Sequence, residues 1–360
     1  MIKVRALTHM LVGVVLATTG LAGADEVRDQ QWHLRFLDIP SAHKISDGSG
    51  VTVAVIDSGV DLHPDLAGNV LPGTEIAANG SDGRSDLTGH GTGMAGIIAA
   101  HGQGATGILG IAPKAKILPI AVDLNNDLIG QESVAKGINW ARMHGAKVIN
   151  ISGDGNPAPD LRAAVEAAIA ADIVVVAAAG NRPSSQVGFP AAYPGVVAVG
   201  ATDRDGDLAA TSVTGDGLVI AAPGIDIMTT RPHGRYGPGT GTSDAAAIVS
   251  GAVALVRSRF PELSAVEVVR RLTATATDKG APGRDDQYGF GVLNLVAALT
   301  ADLPPPTQAT PSQSAAAPAG PDGDGSAIGI VALVVVGVVI AGFVLHVRAR
   351  RHRAARGPVP

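Results

Sequence analysis

The stretch "GVTVAVID" (Gly50–Asp57) is apolar along most of its length and ends on a carboxylate. Apolar and polar residues do not alternate in it, as they do in a strand with one solvent-facing side, so both faces of this strand should be buried. Four later runs have the same character: "AKILPIAV" (115–122), "AKVINIS" (146–152), "DIVVVAAAG" (172–180) and "GVVAVGAT" (195–202). Together the five runs predict a mostly parallel sheet, the type of sheet that helices cover on both faces.

Segments with helical patterning separate or follow these strands. They are "ESVAKGINWARMHG" (132–145), "PDLRAAVEAAIAA" (159–171) and "SAVEVVRRLTATAT" (264–277). The alternation of strand and helix predicts an α/β fold in which a mostly parallel sheet is covered by helices on both faces. In folds of this class the functional residues collect at the carboxyl ends of the strands.

Four polar side chains occupy positions of this kind. Asp57 ends the first strand, Asn181 follows "IVVVAAAG", His90 opens the Gly-flanked run "GHGTGMAGIIAA", and Ser243 begins an Ala-rich helix. Singly, each is explained as a turn or helix-capping residue. Jointly they form a catalytic set, because a carboxylate can orient an imidazole, the imidazole can take the proton of a serine hydroxyl, and an amide N–H can stabilise the resulting oxyanion.

Five motif blocks give this set a family context. They are "AVIDSGVDLHPDL" (54–66), "GHGTGMAGIIAA" (89–100), "VINIS" (148–152), "AAAGN" (177–181) and "GTGTSDAAAIVSG" (239–251). In this order they resemble the motif blocks of the subtilisin-like serine peptidases (subtilases), over about residues 50–298. The resemblance implies a serine endopeptidase that acts on proteins or peptides, with Asp57 orienting the base, His90 as general acid and base, Ser243 as nucleophile and Asn181 as oxyanion donor.

The same resemblance implies a primary specificity pocket for the substrate. Its walls and floor correspond to "ISGDG", which supplies Ser152, Gly153, Asp154 and Gly155, and to Gly188 of "VGF". Gly188 is expected to leave the floor of this pocket open. Asp154 either favours a basic residue before the scissile bond or is an exposed loop carboxylate, and we favour the second interpretation.

Two positions and one segment depart from the family pattern. Asp244 stands where subtilases usually have Met or Phe, and Ala247 stands where they have Pro. Asp244 either is an ordinary acidic residue stabilised by the helix dipole or faces the cleft and opposes the oxyanion, and we favour the first interpretation. Asp65 matches a calcium ligand of the family, but "HGQGATGILG" (101–110) lacks the acidic and amide residues that would complete that site. No metal or other cofactor is therefore expected.

The two ends of the chain have the composition of targeting and anchoring segments. The apolar stretch "MLVGVVLATTGLAG" follows Lys3 and Arg5 and predicts a secretory signal peptide, with an uncleaved anchor as the less favoured alternative. The run "AIGIVALVVVGVVIAGFVL" (327–345) is uncharged and long enough to cross a bilayer, and the arginines after it favour a cytoplasmic tail. The predicted segments are a signal peptide (1–24), a peptidase domain with a short N-terminal extension (25–301), a Pro/Ala/Ser-rich linker (302–326), a transmembrane helix (327–347) and a basic tail (348–360).

This layout resembles that of the mycosins, the membrane-anchored subtilases that accompany type VII secretion systems. The resemblance implies a single-pass protein of the cell membrane, with its catalytic domain outside the cytoplasm and with type VII secretion components as partners. The N-terminal extension, which includes "QWHLRFLDIPSAHKISDGSG" (31–50), is expected to pack along the body. Many mycosins contain cysteines, whereas this chain has none.

Composition and local sequence restrict the other functions. The 360 residues have a formal net charge of −5 and a basic cluster at the C-terminal end, so nucleic-acid binding by the body is not expected. The lack of cysteine excludes disulfides, thiolate chemistry and Cys-type zinc sites. An inactive subtilase body that serves as an envelope scaffold or partner-binding module stays an alternative. An esterase on another α/β fold does not fit, because the sequence around Ser243 is "GTSDA" and not Gly-x-Ser-x-Gly.

Overall fold

The computed structural model describes residues 24–304, apart from 77–80 and 126–127. The predicted transmembrane helix and basic tail lie outside the described residues, as do nearly all of the predicted signal peptide and linker. Within the described part of the chain, every helix is too short or too polar to cross a membrane. The structure therefore concerns the predicted peptidase domain.

Strands and helices are interleaved along the described residues, with several strands in succession at 101–129 and at 174–239. In chain order the strands are β1 (Thr52–Asp57), β2 (Thr74–Glu75), β3 (His101–Gln103), β4 (Thr106–Leu109), β5 (Lys116–Ala121), β6 (Leu124–Asn125), β7 (Leu128–Ile129), β8 (Val148–Ile151), β9 (Val174–Ala178), β10 (Val197–Thr202), β11 (Ile220–Pro223), β12 (Ile227–Arg231) and β13 (Arg235–Gly239). The helices are α1 (Ala24–Gln30), α2 (Trp32–Phe36), α3 (Ile39–His43), α4 (His90–Ala99), α5 (Gln131–Met143), α6 (Pro159–Ala170), α7 (Thr242–Arg259), α8 (Ala265–Ala274) and α9 (Leu295–Thr300), with a 3₁₀ turn at Pro64–Leu66.

The main sheet of the described region has seven strands in the order β11-β10-β9-β8-β1-β5-β2, and all of its pairs are parallel. Strand β1 shows why apolar and polar residues do not alternate in the run 50–57. Val53 and Val55 pack into the layer that contains α4 and α7, whereas Ala54 and Ile56 pack into the layer that contains α5 and α6. The predicted α/β fold, a mostly parallel sheet between two helical layers, is confirmed.

The register of the strands determines which residues lie at the edge of the sheet where the site forms. Ile56 of β1 pairs with Ile151 of β8, so Asp57 and Ser152, the next residues, leave the sheet side by side. Strand β9 pairs with the other side of β8 and ends just before Gly180. Helix α7 packs across β8, β9, β10 and β11, and its first turn therefore faces the same edge. Strand ends and one helix start converge there.

Two further segments cover the layer of α4 and α7. The N-terminal extension packs along the body as predicted: Trp32 is buried, and its indole N–H donates to the carbonyl of Ile225 at 3.0 Å. The antiparallel hairpin β12–β13 lies on α4, because the hydroxyls of Thr229 and Thr230 donate to the carbonyls of Gly93 and Thr92, both at 2.7 Å. The hairpin therefore places some of its residues at the rim of the site.

Candidate active site

Asp57 and His90 form an acid–imidazole pair in which the carboxylate is buried and the imidazole is partly exposed. The Asp57 carboxylate is 2% exposed and accepts from His90 Nδ1 with distances of 2.8 and 2.9 Å to its two oxygens. The backbone N–H of Ser58 also donates to it at 2.8 Å. The charge of Asp57 raises the pKa of His90 to about 9 against the effect of burial, with smaller contributions from Asp244 and Asp86. Because Nδ1 is bound to the carboxylate, Nε2 is the ring nitrogen left to exchange protons.

Asp86 fixes the helix start that carries His90. This buried carboxylate accepts the backbone N–H groups of Gly89 and Thr92, each at 2.8 Å, and the hydroxyls of Thr92 and Ser58 at 2.6 and 2.8 Å. It therefore caps the first turn of α4, which begins at His90. Asp86 was not among the residues predicted from the sequence, although an aspartate just ahead of a helix is a capping signal.

Ser243 lies in the first turn of α7 and is tied to the end of β8. Its hydroxyl donates to the carbonyl of Ser152 at 2.9 Å, and the Ser152 hydroxyl donates back to the carbonyl of Ser243 at 3.1 Å. Behind them, the Asn150 amide donates to Ser152 Oγ and accepts from the Ser250 hydroxyl, both at 2.9 Å. The hydroxyl therefore points to the sheet edge, and a rotation about χ1 is required before it can donate to His90.

Asn181 is held in one orientation beside this serine. Its side-chain oxygen accepts the backbone N–H of Thr242 at 3.0 Å and the Thr242 hydroxyl at 3.3 Å. Because the oxygen is engaged, the amide N–H₂ is on the other side of the group, where it can donate into the cleft. Asn181 is exposed and lines the cleft with Ser243.

Most of the predicted catalytic and pocket residues line one cleft of about 590 Å³. Its lining includes His90, Ser152, Gly153, Asp154, Asn181 and Ser243, together with Arg231, Gly239 and Asp244. Asp57 lies behind His90, and Gly155 and Gly188 lie around Asp154. All nine predicted catalytic and pocket residues thus belong to one region. Arg231, which the hairpin β12–β13 supplies, was not predicted from the sequence.

Asp154 is half-buried, and our preferred interpretation of it as an exposed loop carboxylate is wrong. A Cβ atom added to Gly188 would lie 2.6 Å from the Cβ of Asp154 and 2.9 Å from its Oδ2. A Cβ atom added to Gly180 would lie 3.2 Å from the same Oδ2. The Asp154 side chain therefore fills the space that these two glycines leave, and the floor above Gly188 is not open.

Asp244 is also buried, at 3% exposure, and it lines the cleft. Our preferred interpretation, an ordinary acidic residue at a helix start, is therefore wrong. Its Oδ1 has no hydrogen-bond partner among the described residues, and the backbone of Gly239 packs directly against the carboxylate, where a side chain on that glycine would collide with it. Burial raises the pKa of Asp244 to about 7, although the charges of His90 and Arg231 lower it.

The family's calcium position does not fit a metal ion in this chain. Asp65 is fully buried, and its two oxygens accept from the backbone N–H of Ile108 at 2.7 Å and from the amide of Gln103 at 3.0 Å. The Arg28 guanidinium, supplied by α1, donates to the carbonyls of Gly107 at 2.7 Å and of Thr106 at 2.8 Å. The two Asp65 oxygens and these two carbonyl oxygens, which could bind a cation, therefore already accept hydrogen bonds from the protein.

The fold and the site define a class of protein. A parallel sheet between two helical layers, with an acid–imidazole pair and a helix-borne serine at one edge, is the arrangement of a subtilisin-like serine peptidase. A sequence profile of the Subtilase family matches residues 48–291. The chain belongs to this family and is a subtilisin-like serine protease, an enzyme class with protein substrates.

Individual relatives agree with this assignment. Subtilisin BL from Lederbergia lenta is 40% identical over 270 residues, which cover 74% of this chain and 97% of that protein. The crystal structure of MycP1 from Mycobacterium smegmatis is 30% identical, with a TM-score of 0.70 and coverage of 81% of this chain and 88% of that one. The MycP3 protease from the type VII (ESX-3) secretion system is 35% identical, with a TM-score of 0.68 and coverage of 75% and 88%.

Proposed function

We propose that this protein is a serine endopeptidase in which Asp57, His90 and Ser243 form the catalytic triad. The observation that carries the proposal is the bond of 2.8 Å between His90 Nδ1 and Asp57, with His90 and Ser243 lining one cleft. Asn181 is the proposed oxyanion donor, because its oxygen is bound to Thr242 and its N–H₂ is free to face the cleft.

The proposed reaction begins with neutral His90. Its Nε2 takes the proton of the Ser243 hydroxyl while Oγ attacks the carbonyl carbon of the scissile bond. The negative charge that develops on the carbonyl oxygen is stabilised by the Asn181 amide and the backbone N–H of Ser243. The imidazolium, held by Asp57, then protonates the leaving amine. In the second half of the reaction His90 takes a proton from water, the water oxygen attacks the acyl carbon, and the proton passes to Ser243 Oγ as the acyl group leaves.

Replacement of the nucleophile tests this proposal. We expect Ser243→Ala to lower kcat on peptide substrates by about 10³-fold or more and to abolish labelling by a fluorophosphonate probe. Ser258→Ala, at the other end of the same helix, is the matched control and should keep both. Hydrolysis or labelling that persists in Ser243→Ala contradicts the proposal, and a wild-type protein that neither cleaves nor labels favours the scaffold alternative.

We further propose that the protein is anchored on the outer face of the cell membrane and works with a type VII secretion system. The uncharged run at 327–345 and the arginines after it support the anchor. The similarity to the MycP3 protease, which belongs to a type VII secretion system, supports the association.

A further inference from the structure

We infer that Asn150, buried between strand β8 and helix α7, is a positioning residue for the nucleophile: with Ser152 and Ser250 it fixes where α7 lies along β8, and with it Ser243. The inference rests on the proposed peptidase function and adds to that site a residue that does not touch the substrate. It follows from the hydrogen bonds between strand and helix, from the spacing of these bonds and from the packing around them.

Asn150, Ser152 and Ser250 form one continuous chain of hydrogen bonds that ends at the nucleophile. The Ser250 hydroxyl donates to Asn150 Oδ1, and the Asn150 amide donates to Ser152 Oγ, both at 2.9 Å. Ser152 Oγ donates in turn to the backbone carbonyl of Ser243 at 3.1 Å. Asn150 and Ser250 are fully buried, and Ser152 is 5% exposed. Asn150 therefore links the middle of the helix to its first turn through the end of the strand.

The spacing of these bonds opposes sliding of the helix along the strand. Ser243 and Ser250 are seven residues apart in α7, which places them on one face of the helix, about 10 Å apart along its axis. Asn150 and Ser152 are two residues apart, so their side chains lie on one face of the extended chain. The helix is therefore held at two points, and a shift along its axis strains the bonds at both.

The other buried residues of α7 fix this position less strictly. Most of them are small or apolar, as in the run Ala245, Ala246, Ala247, Ile248 and Val249. Apolar burial is not directional, whereas a hydrogen bond requires a defined distance and angle. We therefore assign the register of α7 on β8 to the buried polar chain and not to the apolar contacts around it.

The contact with β8 matters because β8 is the strand next to Asp57. Strand β8 pairs with β1, which ends at Asp57, and the Asp57 carboxylate holds His90. The start of α7 is also bound to Asn181, through the N–H of Thr242, but Asn181 follows β9 and not β8. The chain through Asn150 is therefore the side-chain link that sets the nucleophile against the strand beside the acid–imidazole pair.

A double variant separates position from stability. Asn150→Val/Ser250→Ala removes both buried partners together, so neither is left unpaired, and we expect a Tm close to that of the wild type. In full-length protein purified in detergent, kcat on a fluorogenic peptide should fall about 10- to 100-fold, as should the rate of fluorophosphonate labelling, because the nucleophile is displaced. KM should change by less than about twofold.

Thr202→Val is the matched control. Thr202 is fully buried at the end of β10, and its hydroxyl has no hydrogen-bond partner among the described residues. Its replacement therefore removes a buried hydroxyl that is outside the chain of Asn150, and kcat should not change. If the double variant does not fold, Ser250→Ala replaces it, with an expected fall in kcat of about tenfold.

The position of the helix is measured independently of activity. The chain has no cysteine, so spin labels at Asn156→Cys and Arg259→Cys, both exposed, are the only ones attached. Asn156 follows β8, and Arg259 ends α7, whose 18 residues span about 27 Å, a distance suited to pulsed EPR. We expect the distance distribution to shift or widen when the double variant is introduced.

The outcomes separate this inference from the proposed function. An unchanged kcat, or an unchanged distance distribution, overturns the positioning role of Asn150 and leaves the peptidase function intact. A fall in Tm with unchanged kcat would show that the buried chain is structural alone. If the wild type neither cleaves peptides nor reacts with the fluorophosphonate, the proposed function fails, and the spin-label distance decides whether Asn150 sets the position of α7.

Discussion

At the scale of single residues, the feature with the largest expected effect on chemistry is Asp244. Its carboxyl group is buried in the wall of the cleft next to the nucleophile, and its charge contributes to the raised pKa of His90. An ionised Asp244 would oppose the oxyanion, and it also stabilises the imidazolium form, which cannot act as the base. Both effects slow acyl transfer.

We therefore expect Asp244→Asn to accelerate turnover and to move the acidic limb of the pH–rate profile to lower pH. The limb reports the deprotonation of His90, whose pKa is raised to about 9 chiefly by Asp57 and in part by Asp244. A steady-state pH series of kcat/KM on one peptide measures both changes. Lower activity with an unshifted profile would mean instead that Asp244 assists substrate binding.

The same substitution should change stability in a pH-dependent way. The pKa of Asp244 is raised by burial to about 7, above its unfolded value of 3.8, so its ionisation is opposed in the folded state. The resulting loss of stability is absent below pH 3.8, grows as pH rises and is complete above pH 7. We expect Asp244→Asn to raise Tm at pH 8 and to match the wild type near pH 4. A constant difference across this range would contradict the assigned burial effect.

The position of a site residue could be predicted from the sequence where a single strand end determines it. It could not be predicted where contacts between distant segments determine it. Asp57 and Asn181 follow apolar runs directly, and the carboxyl ends of parallel strands meet at one edge. The burial of Asp154 depends on Gly188, in a distant loop, which leaves room for its side chain. The burial of Asp244 depends similarly on Gly239 at the end of β13. No local pattern in the sequence reports such pairings.

At the scale of secondary-structure elements, the first turn of α4 is capped by Asp86 together with the hydroxyls of Thr88 and Ser58. Asp86 accepts hydrogen bonds from the first turn of this helix and from Ser58, the residue after Asp57. It therefore supports both members of the acid–imidazole pair. Asp86→Ala should lower stability by about 1–3 kcal/mol and lower kcat about tenfold, because His90 loses its fixed position. Thermal unfolding and peptide kinetics measure the two effects.

Asp160→Ala provides the matched control for this prediction. Asp160 lies in the first turn of another helix, α6, and is exposed. It should leave kcat unchanged. If Asp86→Ala also leaves kcat unchanged while it destabilises the protein, then the cap has a structural role alone.

At the same scale, Arg28 of helix α1 holds strand β4 of the β3–β4 hairpin in place. Arg28→Ala removes the donors to the carbonyls of Thr106 and Gly107 and should cost about 1–3 kcal/mol, or several degrees in Tm. Addition of EDTA or of calcium to the wild type should leave Tm unchanged. A large fall in Tm with EDTA would show that a bound cation stabilises the fold.

Elements were predictable from sequence in proportion to the strength of their periodicity. The segments recognised in the sequence coincide with strands β1, β5, β8, β9 and β10 and helices α5, α6 and α8, because each has a regular pattern of apolar residues. The hairpin β12–β13 was not recognised. Its turn and second strand are rich in Gly and Pro, and its place on α4 depends on the buried hydroxyls of Thr229 and Thr230.

At the scale of the whole molecule, the proposed topology can be tested on intact cells. If the body lies outside and residues 327–347 span the membrane, a protease added to intact cells or protoplasts should cut the Pro-rich linker and release an active soluble domain. Immunoblotting of the medium with an antibody against the body detects the release. Release that occurs in permeabilised cells alone would show that the proposed orientation is wrong.

The hydrogen bonds of Arg28 to the β3–β4 hairpin affect how the stability of the fold depends on the ions in the medium. The stabilisation that a dissociable ion provides follows mass action, and it grows or disappears with the concentration of that ion. Arg28 is covalently joined to the domain through α1 and therefore acts at a fixed effective concentration. Dilution therefore does not remove the Arg28 guanidinium, and ions in the medium do not displace it by mass action. The β3–β4 hairpin that it holds should keep the same conformation in media that differ widely in divalent cations.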